Sequence, residues 1–297
     1  MRKGIILAGG IGSRLFPLTF SVTKQLLPVH DKPMIYYPLA TLLELGVKEV
    51  LIICMQRDKD QFYNLFGDGS ALGIKISYEI QNEPNGIAEG LIIAEQFLNS
   101  NPCIFILGDN LFVGNLDKVN LEKEINNLEG ACIFTYKVSD PERYGVVELG
   151  ENNKAINIIE KPKNPVSDNA ITGIYFYDKN AAQIAKTLIP SNRGELEISD
   201  LNQHYLNHNL LSVKKLDSLV TWMDAGTIDS LYEASNFVSA LEKRSGKKVA
   251  CLEEISYLQG NLSLDNFSKL IKKYQASDYG NYLKKIELFY KHEKQTD

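Results

Sequence analysis

Cysteine is scarce and unpatterned in this chain. The four present, Cys54, Cys103, Cys132 and Cys251, form no Cys-x-x-Cys pair. The first three lie in apolar, strand-like runs and read as buried small hydrophobes in a reducing compartment. Long apolar runs are missing too. The start, MRKGIILAGG, is basic, but its apolar run is four residues, short of the roughly 7–15 of a secretory leader. Nothing approaches the ~18 apolar residues of a membrane helix. There is no basic excess: 32 Lys and Arg stand against 37 Asp and Glu, a net charge of −5. That argues against a dedicated nucleic-acid binder. No repeat or low-complexity tract is visible. The expectation is a cytoplasmic enzyme with neither nucleic-acid nor membrane partners, whose phosphate sites, if any, rest on a few local cations.

The 297 residues suffice for one large α/β domain or two modest ones. Strands are expected near Ile5–Ala8, Val50–Cys54, Lys75–Ile80 and Cys103–Leu107, and helices near Met34–Leu45, Lys59–Phe66 and Ile87–Asn99. This order predicts a Rossmann-like three-layer α/β/α fold with a mostly parallel sheet. Ligands in such folds bind beyond the carboxyl ends of the strands, which puts GGIGSR and GDN (Gly108–Asn110) on one rim. The middle segments ACIFTYKV, YGVVEL, AINIIEK and AITGIYFY are strand-like, and GENNK (Gly150–Lys154) is a turn between two of them. The sheet is therefore expected to be mixed. Helices follow near Ala181–Leu188, Ile198–Leu206 and, after DAGT, Ile228–Lys243. Residues 1–240 form the expected main domain and 241–297 a helical appendage.

The glycine loop fails two familiar phosphate patterns. Gly10-Ile11-Gly12-Ser13-Arg14-Leu15 lacks the third glycine of a dinucleotide fingerprint, which disfavours a dehydrogenase, and no register supplies a Walker loop. What remains is Gly9-Gly10-x-Gly12-x-Arg14, then Lys24. Glycines after a strand leave N–H groups open to an anion. A forked cation and a mobile point charge beside them suit a triphosphate whose pyrophosphate end leaves. The plainer reading is a tight turn with a surface Arg and Lys.

Other residues allow paired readings. Asp109 and Asp224 each follow a strand; singly they read as helix caps, together as carboxylates for Mg²⁺. Gln81 offers a donor and an acceptor to a pyrimidine imide edge, with Gly86 admitting backbone to the base, or merely ends a strand before a turn. Glu160-Lys161 reads also as a surface pair, and the glutamates after Arg193 as first-turn helix charges. His204 and His208 have metal-like spacing, but Tyr205 stands where an HExxH motif has Glu, so a solvated face is expected. Cys103 has no histidine nearby in sequence and is not read as a nucleophile.

The segment KGIILAGGIGSRLFPLT, with KQLLPV and DKPMIYYPL after it, resembles the opening of the sugar-1-phosphate nucleotidylyltransferases, and among them the bacterial glucose-1-phosphate thymidylyltransferases. LGDN, DPERYGVVE, EKP, TGIYFYD, RGELEISD and the TWMDAGT segment follow in the family's order, as far as about Ile255, and DYGNYL matches near the end. The resemblance implies deoxythymidylyl transfer from dTTP to glucose 1-phosphate, opening a deoxysugar-nucleotide pathway such as that to dTDP-rhamnose. It implies Mg²⁺ on Asp109 and Asp224, and nucleotide contacts from Leu7, Ala8, Gly9, Gly10, Gly12, Ser13, Arg14 and Lys24. It places Lys161 and Arg193 on the sugar phosphate, Glu160 and Glu195 on the sugar, and Tyr144, Gly145, Thr172, Gly173 and Trp222 around the hexose. It implies a homotetramer, a dimer of dimers. Rivals are a UTP-using relative and a non-catalytic sugar-nucleotide regulator of the same fold. Arg14, Lys24, Asp109, Lys161, Arg193 and Asp224 occurring together weigh against lost catalysis. No covalent triad is present, so direct displacement is expected. The family's second nucleotide-sugar site uses a Tyr and two Arg where this chain has Val113, Ser218 and Leu258, although VACLEEI is retained. Feedback control is expected to be weakened or altered.

Overall fold

The computed structural model describes residues 3–114, 116, 128–151, 154–274 and 277–296. Strand β1 (Lys3–Ala8) runs parallel between β4 (Glu49–Cys54) and β6 (Cys103–Leu107), with β5 (Lys75–Ile80) outside β4. Two short strands, β2 (Pro28–Val29) and β3 (Lys32–Pro33), form a separate hairpin. Successive residues of β1 serve opposite faces: Ile5 enters one buried cluster and Ile6 the other. A strand covered on both sides needs such a continuous apolar run. Ile6 packs in a layer with helices α1 (Tyr36–Glu44) and α2 (Lys59–Phe66). Ile5 packs toward α3 (Glu89–Ile93), α4 (Glu95–Leu98), α5 (Ala181–Ala185) and α6 (Ile198–Asn207).

The second half of the sheet is mixed, as expected. Strand β11 (Asn169–Tyr177) lies antiparallel to β6 and to β8 (Ala131–Lys137). Its N-terminal part touches β9 (Gly145–Leu149), which pairs antiparallel with β10 (Ala155–Glu160). One edge of β11 thus changes partner between Ala170 and Ile174, opening the sheet there. Gly150 N donates to Lys154 O at 2.8 Å, closing the GENNK turn; its Asn152 and Asn153 lie outside the described residues. The composition of LSVKK did not draw a strand reading, yet β12 (Leu211–Lys215) adds in parallel to β8.

Two differences from the sequence reading are local. Within 87–99 there are two short helices, α3 and α4, the first beginning at Glu89; just before it, the Ala88 N–H finds its acceptor in Leu196 O at 3.1 Å. The 181–188 helix ends at Ala185, where Lys186 N still bonds to Ala182 O at 3.3 Å but Thr187 and Leu188 bond only three residues back, to Ile184 O at 2.9 Å and Ala185 O at 3.3 Å. A small ribbon, β7 (Asn110–Val113) against β13 (Thr221–Asp224), stands beside the sheet and sets Asn110 opposite Asp224. Helix α7 (Ile228–Ser245) follows, started by reciprocal Thr227–Ser230 bonds, and passes residue 240 without a break. The last helices, α8 (Leu252–Leu258), α9 (Leu264–Ile271) and α10 (Asp278–Thr296), share a small core of Cys251, Phe267, Ile271 and Leu283.

Candidate active site

The parallel strands β1 and β6 end side by side, and Gly108 N donates to Leu7 O at 2.9 Å. The glycine loop and the Asp109 turn therefore leave the sheet together. Gly10 and Gly12 take φ of +95° and +68°, left-handed values that a side chain disfavours. Gly12 then starts a single 3-10 turn, Ser13–Leu15. Buried Leu15 anchors that turn, and Thr19 Oγ1 donates to Gly12 O at 2.8 Å. Leu7 and Ala8 carry the chain into the loop, Gly9 follows, and Ser13 and Arg14 lie exposed on the rim. Lys24 returns across the loop and its Nζ pairs with Asp109 Oδ2.

Asp109 and Asp224, 115 positions apart in sequence, meet at this edge because Asp224 ends the β7–β13 ribbon and Ala225 N donates to Asp109 O at 3.0 Å. Their environments differ. Burial pushes the Asp109 carboxyl up, but Lys24 and the Asn110 amide outweigh it and leave the pKa below 3.8. Asp224 is pushed up to about 6, by burial first and then by the negative charge of Asp109. No side chain among the described residues hydrogen-bonds the Asp224 carboxylate. Asp109, paired with Lys24, and Asp224 bring two hard-oxygen carboxylates to one edge. That set fits Mg²⁺.

From these carboxylates a cavity of about 140 Å³ extends into the opening beside β11. Its lining includes Arg14, Asp109, Asp224, Asn110 and Arg143, together with Tyr144, Gly145, Glu160, Lys161, Gly173 and Trp222. The Tyr144 and Trp222 rings meet edge to face at 5.2 Å. Asn110, which the sequence did not single out, ties several of these residues together. Its Oδ1 accepts from Trp222 Nε1 at 2.6 Å and from Gly173 N at 3.0 Å, and its Nδ2 donates to Asp109 Oδ1 at 3.1 Å. Ser199, also unforeseen, donates to Glu160 Oε2.

Several expected residues are placed differently. Thr172 is fully buried and its hydroxyl donates to Phe134 O at 3.2 Å, so only the neighbouring Gly173 borders the cavity. Arg193 stands behind Glu160, at 3.7 Å, and beside Glu195, at 3.4 Å. Its fork is taken by buried Glu197, with Nε at 3.1 Å and Nη2 at 2.7 Å. Glu197 reads as a helix-start charge in sequence; in the fold it orients Arg193.

Gln81 lies buried at the end of β5, with its Oε1 against Gly9, whose missing side chain leaves it room. Its Nε2 donates to Glu89 Oε2 at 2.8 Å and Gly86 O at 3.3 Å. Glu89 also accepts from Asn85 at 2.9 Å. Leu196 N donates to Asn85 O at 2.7 Å, and with the Ala88 bond to Leu196 O this clasps the Gly86 turn to the Arg193–Glu197 segment.

A separate pocket of about 310 Å³ lies under the C-terminal helices, with Val113 and Leu258 in its wall together with Lys248 and Glu254. His204 and His208 stack at 4.4 Å on the exposed side of α6. Cys103 is fully buried, which pushes its thiol up to about 12. His30, Asp31 and Glu242 have metal-like proximity, but Lys32 and Lys248 pair with both carboxylates and supply the positive charge.

A phosphate-ready loop, a carboxylate pair and a cation-flanked cavity at the strand ends define a nucleotidyltransferase. A family model described as nucleotidyl transferase matches residues 3–240, and the chain belongs to that family. It is 48% identical over 284 residues to the glucose-1-phosphate thymidylyltransferase of Neisseria meningitidis serogroup A, covering 96% of this chain and 99% of the relative. It is 45% identical over 282 residues to the enzyme of that name from Xanthomonas campestris pv. campestris strain B100, covering 95% and 96%. A solved Bacillus anthracis glucose-1-phosphate thymidylyltransferase superposes with a TM-score of 0.75 at 40% identity, over 80% of this chain and 95% of that one. A UDP-glucose pyrophosphorylase complexed with UDP-glucose shares the fold, with a TM-score of 0.71 at 22% identity, over 82% and 99%.

Proposed function

We propose that the protein transfers a deoxythymidylyl group from dTTP to α-D-glucose 1-phosphate, giving dTDP-glucose and pyrophosphate. The observation that carries the reading is the cavity itself. Its wall carries Arg14, Asp109, with Lys24 paired behind it, and Asp224, and also Lys161 and Glu160. The sugar phosphate is already an anion, so no general base is needed. An oxygen of that phosphate attacks the α-phosphorus, and the α–β bridging oxygen leaves with its electron pair on pyrophosphate. The protein's task is to bring two anions together and neutralise them. The glycine loop, Arg14 and Lys24 hold the triphosphate and Lys161 the incoming phosphate, while Arg193, held by Glu197 behind Glu160, adds positive charge from outside the cavity wall. Asp109 and Asp224 would hold Mg²⁺, which when bound supplies positive charge to the phosphate oxygens.

Gln81, its Nε2 fixed by Glu89, is the amide beside Gly9 proposed to meet the imide edge of thymine or uracil. The test is pyrophosphate release with dTTP or UTP against glucose 1-phosphate and its epimers, with and without Mg²⁺. Release with dTTP and glucose 1-phosphate is expected, and its loss on chelation. No release with any pair refutes the reading; a strong UTP preference refutes the base assignment.

The assembly proposed is a homotetramer, a dimer of dimers in the cytoplasm, with residues 241–297 making subunit contacts. Exposed Leu258, Leu288 and Phe289 on the last helices support such contacts, and four free buried cysteines suit a reducing compartment. Light scattering that returns a monomer mass refutes the assembly.

A further inference from the structure

Arg143 is a residue that neither sequence motif reading nor the reaction above uses. It sits in the short turn before β9. Its Nη1 donates to Asp140 at 2.7 Å, and its guanidinium lies 5.4 Å from the centre of the Tyr144 ring. Its other terminal nitrogen, Nη2, is buried from solvent and has no hydrogen-bond partner among the described residues. Arg143, Tyr144, Trp222 and Asp224 border both the catalytic cavity and an adjoining groove of about 560 Å³.

Leaving a buried donor unpaired costs on the order of 1–3 kcal/mol, and more for a charged group. A guanidinium with one edge fixed by a carboxylate and the other edge bare is an oriented fork awaiting an acceptor. Within the cavity Glu160 lies at the end proposed for the sugar, and Asp224 is one of the two carboxylates that would hold Mg²⁺ against phosphate oxygens. A full positive charge beside Asp224 matches an anionic oxygen better than a neutral hydroxyl.

We propose that Arg143 is a catalytic residue whose Nη2 donates to a phosphate oxygen of the nucleotidyl group undergoing transfer. The inference rests on the reaction proposed above. In that step a bond forms between the sugar phosphate oxygen and the α-phosphorus, and the bond to the pyrophosphate oxygen breaks. Arg143 stays protonated throughout and answers charge on the transferring group. Asp140 holds the guanidinium plane while this happens.

The test is steady-state pyrophosphate release by wild type, Arg143→Gln and Arg143→Lys with Mg²⁺, dTTP and glucose 1-phosphate, with melting temperatures measured in parallel. Arg143→Gln is expected to lose about 10²-fold in kcat, the scale for one transition-state donor, with KM for glucose 1-phosphate changed less than about threefold. Arg143→Lys is expected to recover about tenfold of that loss. If Arg143→Gln shows no folding transition, Arg143→Lys carries the test, with a kcat about tenfold below wild type expected. A kcat near wild type in the folded variants overturns the inference, as does a loss confined to KM for glucose 1-phosphate. Wild type releasing no pyrophosphate overturns the reaction itself; an active wild type beside an equally active Arg143→Gln overturns this inference alone.

Discussion

Replacing Asp224 by Asn should raise the stability of the metal-free protein while removing its activity. The Asp224 carboxyl titrates near pH 6 in the fold, against 3.8 for an ordinary aspartate, because burial and the Asp109 charge oppose its ionisation. A raised carboxyl pKa means the native state binds more protons than the unfolded chain between those values. Stability therefore falls as pH rises from about 4 to about 6 and stays lower above. About two pKa units at ~1.36 kcal/mol each give an upper bound of about 3 kcal/mol. Asparagine mimics the protonated acid at every pH and escapes that cost. With an unfolding entropy of ~2.1 cal/mol/K per residue, the gain corresponds to roughly 5 °C in Tm. The assay is calorimetry in chelator at pH 4.5 and pH 8. About a third of that cost, about 1 kcal/mol, is already present at pH 4.5, so Asp224→Asn should melt only about 2 °C above wild type there and roughly 5 °C above it at pH 8. Saturating Mg²⁺ should shrink or reverse the gap, since only wild type keeps both carboxylates. An equal Tm difference at the two pH values, or a less stable variant at pH 8, refutes the reasoning.

Other perturbations follow from contacts already described. Arg14→Ala should lower kcat/KM by about 10²–10³, the scale of one lost transition-state donor, and a near-normal rate sinks its assignment. Thr172→Val should cost about 1 kcal/mol in chemical denaturation through the lost bond to Phe134, yet leave KM for glucose 1-phosphate within about twofold; a large KM change would return the hydroxyl to the site. A deoxysugar nucleotide added at micromolar concentration should inhibit weakly, because Val113 and Leu258 present no polar side chain to the second pocket; potent inhibition with contacts there refutes this.

The parallel half of the fold was legible because its strands are buried on both faces and carry continuous apolar runs, which Ile5, Ile6 and the CIFIL strand display. The glycine loop and the GDN turn, Gly108–Asn110, could be placed on one rim by topology alone. The bonds that Asn110 makes there could not. In sequence Asn110 is a polar residue after an aspartate, and nothing local signals a Trp222 donor 112 positions away. Glu197 and Ser199 were hidden for the same reason, since a charge and a hydroxyl at a helix start look like capping chemistry until Arg193 and Glu160 are seen against them. The late start of α3 has a partner in Leu196, which no periodicity within 87–99 can report.

The clasp between Asn85, Ala88 and Leu196 has a bearing on how such proteins diversify. The Gly86 turn, proposed above for the base end, and the segment that carries Arg193 and Glu195 share two backbone hydrogen bonds. Backbone bonds survive side-chain exchange, so any library that remodels residues 81–89 toward another base drags the sugar end with it. Under the proposed site assignments donor and acceptor tolerance should shift together, so variants selected on one substrate should be screened for drift on the other.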